Sequence, residues 1–415
     1  MSANNILQQV ITYNESNLAL LLNSYAFIST SNKKFNNFNT DIPKNLGDVV
    51  SFDLPPRFTT TASLVVTFQA AVQRVQQLAV VNQASTAYEF TAQQFIFNVR
   101  DYIDKFGKSA VAELGNQVEA DIAGLAESNT FRFFGDGVTQ ISTYLQLANA
   151  LAFFRNFGAA KDHTMGYLSD LTFPLIVNSG LNQFTLDRGN REAMSWEIGE
   201  FSNCEWYESN LLKTHVSGTE GTQGSVLTVV STTLDANGAV IAITFSGTHA
   251  ASDALSIAQY DKFQFSDGVA GQPNMRFLTF IGHQVSQSPV QFAATAAAAS
   301  TAGSQVTVSI TPPLQVQATY EQNINNPIVA GMQVTVLPSH RCGLITAGNP
   351  LYVAMPKLNN TEPFPSSSIT DPDTGASLRS YYGTLFGQNQ QGFVHDIIWG
   401  KTLVPEYAMM IALPV

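Results

Sequence analysis

Charge is what this chain has least of. Of its 415 residues only 12% are Asp, Glu, Lys or Arg, and 31 acids against 20 bases leave a formal net charge of −11. A chain with that balance repels a polyanion, which excludes a general nucleic-acid binder. Gln, Asn, Ser and Thr carry the polarity instead. Contact zones are depleted in charge while free surfaces are not, so much of this surface is expected to be covered. Cysteine is nearly absent: Cys204 and Cys342 stand far apart and form neither a disulfide framework nor a zinc motif. No run reaches the roughly 18 uninterrupted apolar residues of a membrane span, and the first residues lack the basic, apolar and small succession of a signal peptide. The expectation is a protein made and used in a cytosol, with no membrane partner.

Motifs that carry chemistry are equally thin. His163, His215, His249, His283, His340 and His395 are isolated from one another, with no i,i+4 pair on a helix, so they read as surface or turn residues rather than metal ligands. Asp162-His163 is the nearest approach to a catalytic couple, but no Gly-x-Ser-x-Gly turn accompanies it. Phe106-Gly107-Lys108-Ser109 ends like a phosphate-binding loop, yet Tyr102 replaces the earlier glycine and the triplet lies inside a helical pattern. Gly135-Asp136-Gly137 lacks a third glycine and reads as a turn. No catalytic residue, cofactor or metal site is assigned, and the chain reads as a non-enzyme.

What is present is periodicity. From Phe97 to Ser128, the apolar residues Val99, Ile103, Phe106, Ala110, Leu114, Val118, Ile122 and Leu125 recur every three or four positions, which predicts one long amphipathic helix of roughly 45 Å. Arg100, Asp104, Lys105, Lys108, Glu113, Glu119 and Asp121 fall on its wet side. Ahead of this spine, residues 1–40 read as a helical arm that ends in an Asn- and Lys-rich linker. Residues 41–96 then alternate as Leu64, Val66, Phe68, Ala70 and Val72 and, after a middle section near 76–86, as Tyr88 and Phe90. The two limbs predict an extended hairpin that needs another surface to lie on.

Beyond a spine segment of 97–135, residues 136–212 read as a compact α/β domain. It has a helix over 139–157, a short buried strand at Phe173–Val177 and a further helix from about Ser179. From 213 to 340 the texture is all-β, with short strands, turns such as Asp235-Ala236-Asn237-Gly238, and an Ala-rich hairpin tip at 293–299. The strand spacing predicts a small barrel inserted into the α/β body, to which 341–415 returns.

This order of parts resembles the major capsid proteins of tailed double-stranded DNA phages. The likeness rests on Asn45-Leu46-Gly47-Asp48-Val49-Val50 and Leu54-Pro55-Pro56-Arg57-Phe58 at the start of the ribbon and on the spine over 106–123. Tyr260-Asp261-Lys262-Phe263-Gln264-Phe265, Phe277-Leu278-Thr279-Phe280, Val306 to Pro313 and Ile397 to Glu406 look like the short-tailed Salmonella phage coat-protein group, which carries an insertion domain.

The resemblance implies an α+β chain of the Hong Kong-type capsid fold: N-terminal arm, extended loop, peripheral domain with spine helix, axial domain, and an inserted β-barrel. It further implies a homo-oligomer of pentamers and hexamers in an icosahedral virion shell. That shell would be assembled in the cytoplasm of an infected bacterium with a portal protein, around packaged DNA held without sequence-specific binding. Because the ribbon begins near residue 45, a separate scaffolding protein is expected. Because no lysine lies between Lys44 and Lys105, a non-covalent shell is expected. Candidate inter-subunit contacts are Arg57, Arg74, Arg100, Lys105 and Lys108. Candidate spine bends are Gly107, Gly115 and Gly124, each costing about 1 kcal/mol of helix propensity relative to Ala. The alternatives weighed are another virion component, such as a tail or decoration protein, and a carbohydrate-active protein with a β module.

Overall fold

The computed structural model describes residues 25–32, 49–54, 58, 68, 73–91, 106–158, 162–179, 199–222, 226–247, 255–279, 282–300, 305–317, 321–358, 366–370, 376–384 and 390–415. Its contacts divide the chain into two units. One comprises Met1–Phe52, Val75–Ala123 and Leu351–Leu403, and the other Asp53–Arg74, Gly124–Pro350 and Val404–Val415.

The first unit is built on a six-stranded sheet, in the order Val49–Leu54, Arg74–Thr91, Gln390–Leu403, Ser377–Thr384 and Ser366–Thr370, with Leu351–Ala354 also pairing Gln390–Leu403. Arg74–Thr91 runs unbroken through the middle section that the sequence places at 76–86. Leu78 and Ala84 turn inward there while Gln77, Gln83 and Ser85 are exposed, an alternation that polar residues sustain without forming a turn. The strand lies antiparallel to Gln390–Leu403, from Val80 opposite Gly400 to Thr91 opposite Gln390. Gly400 permits the close approach, since a Cβ there would fall 2.6 Å from the Ala79 carbonyl oxygen. Of the Leu64–Val72 limb of the expected hairpin only Phe68 is described, and the rest lies outside the described residues.

The described part of the spine comprises the helix Lys108–Ala123, Gly124 in a turn, and the short helix Leu125–Ser128. The stripe is as the sequence predicts over Ala110, Leu114, Val118, Ile122 and Leu125, all buried, whereas Phe106 is 47% exposed. Glu119, expected on the wet side, is 1% exposed. Its carboxylate accepts the backbone N–H groups of Phe27 and Ile28 at 2.7 and 2.9 Å, capping the short helix Ala26–Thr30 and fastening it to the spine. On the other side, Asp121 accepts from Trp399 Nε1 at 2.8 Å and Asn82 Nδ2 at 3.2 Å and pairs with Lys401 Nζ at 2.6 Å.

The second unit carries another six-stranded sheet, in the order Phe133–Phe134, Ala408–Leu413, His340–Thr346, Met165–Leu168 and Glu205–Glu208, with Thr214–His215 also pairing His340–Thr346. The helix Tyr144–Asn156 starts at a reciprocal cap between Thr143 and Gln146, which sets its first residue later than the periodicity alone implies. Residues 173–177, expected as a strand, belong instead to the helix Thr172–Asn178. Phe173, Ile176 and Val177 are buried while Leu175 is 41% exposed, the i, i+3, i+4 spacing of one helix face. Pro174 sits in the first turn, where its missing N–H costs nothing. That helix ends at Asn178, and the further helix expected from about Ser179 falls on residues 180–198, outside the described residues.

Between Thr214–His215 and His340–Thr346 the chain forms a closed six-stranded barrel, in the order Lys262–Phe265, Gln291–Ala294, Val306–Leu314, Val240–Ser246, Val226–Leu234 and Gln333–Val336. Phe245, Phe263 and Phe292 stack inside it, with Phe263 and Phe292 centroids 5.1 Å apart. The barrel is an insertion in the strict topological sense. The strand that leaves the sheet and the strand that returns are paired, His340 opposite His215 and Arg341 opposite Thr214.

Candidate functional site

At that pair of strands a group of ionisable side chains is buried together. His215, 2% exposed, lies between two carboxylates: its Nδ1 is 2.7 Å from Glu127 Oε1 and its Nε2 is 2.8 Å from Asp261 Oδ1. Glu127 comes from the short helix after Gly124, and Asp261 from the turn that opens the first strand of the barrel order. The other oxygen of Glu127 pairs with Lys213 Nζ at 2.6 Å. The other oxygen of Asp261 accepts the backbone N–H groups of Ala258 at 2.7 Å and Gly218 at 3.2 Å. Lys262 Nζ, fully buried, donates to the carbonyl oxygens of Glu127 and Thr130, as suits a cation at a helix C-terminus. The His340 ring lies 5.3 Å from that of His215 and is hydrogen-bonded through Nδ1 to the Pro338 carbonyl oxygen at 2.7 Å.

These surroundings set the protonation states. Burial works against a charged His215, but hydrogen bonds to Asp261 and Glu127 and their negative charges outweigh it, so its pKa is raised. Burial likewise opposes ionisation of Glu127, yet His215 and Lys213 hold its carboxyl below the usual range. Burial pushes His340 down to about 4 and Lys262 down to about 8. Their different partners thus draw two neighbouring imidazoles apart, His215 toward its charged form and His340 toward its neutral form.

The reading of the histidines as surface or turn residues fails for His215, His340 and His395, all buried. No local signal could reveal it, because Glu127 and Asp261 lie 88 and 46 residues from His215 in the chain. In the first unit, Ser380 Oγ and His395 Nδ1 are 2.7 Å apart, the spacing of a nucleophile and its base. Both residues are 0% exposed within the sheet, so the couple is a packing contact that no substrate reaches. Among the described residues no group of three or more His, Cys, Asp or Glu side chains could hold a metal ion. No described helix is long and apolar enough to cross a membrane.

A second buried cation was also missed. Arg132, 0% exposed, donates to the carbonyl oxygens of Phe153 and Phe154 at 3.1 and 3.3 Å and stacks on the Phe157 ring at 4.1 Å. It serves the last turn of the helix Tyr144–Asn156, where the helix dipole favours positive charge. Burial lowers it to about 9, which leaves it charged at neutral pH.

Arg57, Arg100 and Lys105, expected as contact residues, lie outside the described residues. Arg74 forms a bidentate pair with Glu406, and Lys108 is exposed at the first residue of its helix. The expected bends separate into different roles. Gly107 belongs to a π-helical turn just ahead of the helix, and Gly124 keeps helical angles (φ −60°, ψ −16°) and accepts the Ser128 N–H at 3.1 Å. Gly115 instead seats the Tyr25 ring.

No protein-family model matches the sequence. No curated protein matches it either. Among solved structures, the chain is similar to one from Mycobacterium phage Che8, at 8% identity over 93% of this chain and 90% of that one, with a TM-score of 0.47. It is also similar to the capsid of the cyanophage P-SCSP1u, at 11% identity over 88% and 84% with a TM-score of 0.43. A third likeness is to the capsid asymmetric unit of the cyanophage Pam1, at 8% identity over 91% and 87% with a TM-score of 0.43. At such identities and scores a likeness carries no argument about what this chain does. The mixed α+β architecture and the closed barrel stand on the chain's own geometry.

Proposed function

We propose that this chain is the structural major capsid protein of a tailed double-stranded DNA phage, with the Hong Kong-type fold and an insertion domain of the short-tailed Salmonella phage kind. The observation that carries the reading is the barrel entering and leaving an α+β body through one pair of strands, in a chain that also holds a spine helix and an 18-residue strand. That is the order of parts the sequence resemblance implies. A surface poor in charge and rich in Gln and Asn supports extensive contact between copies. The net charge of −11 supports a shell that encloses DNA without adhering to it.

On this reading the subunits form pentamers and hexamers of an icosahedral shell in the cytoplasm of an infected bacterium. A separate scaffolding protein directs assembly and a portal protein occupies a vertex. Arg57, Arg100, Lys105 and Lys108 are contacts between subunits rather than catalytic groups. The test is negative-stain microscopy of the chain expressed with a candidate scaffolding protein from the same genome. Closed icosahedral shells or ring-like capsomers are expected; a uniform monomer with hydrolytic activity on a glycan overturns the reading in favour of a carbohydrate-active protein. Closed, uniform shells from the chain alone would overturn the separate scaffold.

A further inference from the structure

We infer that His215 is a proton-dependent latch that fastens the inserted barrel to the sheet and helix from which it emerges. The case rests on the number of N–H groups an imidazole has. Both ring nitrogens face carboxylate oxygens, at 2.7 and 2.8 Å, and only the imidazolium can donate from both. A neutral ring would set a lone pair against one carboxylate oxygen, so loss of one proton turns one of the two bonds into a repulsion. Neither carboxylate can turn away to relieve it. Glu127 is held by Lys213, and Asp261 by the N–H groups of Ala258 and Gly218.

The three segments that meet at the ring belong to different elements: the helix Leu125–Ser128, the strand Thr214–His215 that leads out of the sheet, and the turn at Asp261 that leads into the barrel wall. The deprotonated ring therefore releases either the helix or the barrel turn from the exit strand.

The groups facing the ring define the working range. Glu127, held below its ordinary pKa of 4.5, stays ionised as the pH falls through that value. His340, pushed down to about 4, stays neutral beside His215 and adds no repulsion. His215 is raised above 6.5, so the latch is closed at pH 6.5 and opens as pH rises through the raised value. Cys342, pushed up to about 12 by burial, stays a neutral thiol throughout. Lys213 is raised by its pair with Glu127 and keeps its charge. Lys262, at about 8, titrates in an overlapping range and has to be separated from His215 by experiment.

Hydrogen exchange read by mass spectrometry on the full chain, from pH 6 to pH 9.5 and corrected for the intrinsic rate, makes the test. Peptides spanning 125–130, 213–218 and 258–265 should lose at least tenfold in protection across a single transition above pH 6.5. In Asp261→Asn, which removes one of the charges raising His215, the transition should move to lower pH. Lys262→Gln should keep it, and His215→Gln should abolish it, with low protection throughout. Protection that is flat with pH in the unaltered chain overturns the latch and needs no variant to fold. A transition that survives His215→Gln but vanishes in Lys262→Gln overturns it as well, assigning the proton to the lysine.

Discussion

The Tyr25 ring occupies the place that a side chain on Gly115 would need: a Cβ at Gly115 would stand 2.4 Å from Tyr25 Cε2. The Tyr25 hydroxyl then donates to the Ala112 carbonyl oxygen at 2.6 Å, so the glycine is the floor of a socket for residues 25–30. Gly115→Ala is predicted to displace the ring while improving helix propensity by about 1 kcal/mol. The two effects oppose, so the melting temperature should change little, but exchange protection of residues 25–30 should fall several-fold. A large loss in melting temperature with that segment still protected would show that the spine, not the socket, needs the glycine.

Asp121 holds three donors from two strands, Trp399, Lys401 and Asn82. Removing a charged acceptor with several partners costs about 2–3 kcal/mol. Asp121→Ala is predicted to lower stability by that amount in thermal unfolding, whereas Glu113→Ala, on the exposed side of the same helix, should change it by less than about 0.5 kcal/mol. Equal effects at the two positions would refute the hub.

His395 makes the first unit acid-sensitive. Burial pushes its ring down to about 4 against an ordinary 6.5, so the folded ring stays neutral where the unfolded one takes up a proton. Stability from this group is fully present above about pH 6.5 and falls as pH drops toward about 4, by an order of about 3 kcal/mol. His395→Gln should flatten the dependence of unfolding midpoint on pH in that window. An unchanged slope would place the acid sensitivity elsewhere.

If the chain forms a shell, its subunits are predicted to separate completely in denaturant. With no lysine from residue 45 to residue 104, an isopeptide bond from the extended loop has no amine to start from. Boiled particles should give a single monomer-sized band on a denaturing gel. A ladder of multiples would disprove the non-covalent shell.

Spine flexibility has its own test. Gly107 and Gly124 flank the helix Lys108–Ala123, so changing both to Ala should stiffen its ends and slow any expansion of assembled particles, while Gly115→Ala alone should not. Normal expansion of the double variant would remove the bend.

Where one element repeats a simple period, the chain's own letters were enough. The stripe Ala110, Leu114, Val118, Ile122 predicts its helix, and short β-rich runs separated by turns predict the barrel, because burial of one face or of alternate residues is written at a spacing of 3.6 or 2. Residues 173–177 mislead because five apolar residues in a row fit either period. Only the seating of Phe173, Ile176 and Val177 on one buried face decides for helix.

Polar residues are where local reading ends. Glu119 looks like a solvated glutamate until the N–H groups of Phe27 and Ile28, some 90 residues away, arrive to claim it. His215 looks like an isolated histidine until Glu127 and Asp261 close on either side. The sequence determined the stripe of the spine helix and the β character of the barrel, since those follow from hydrophobic spacing within a window. Tertiary structure alone decided which charges are buried, because a buried charge is stable only beside partners that folding brings from distant parts of the chain.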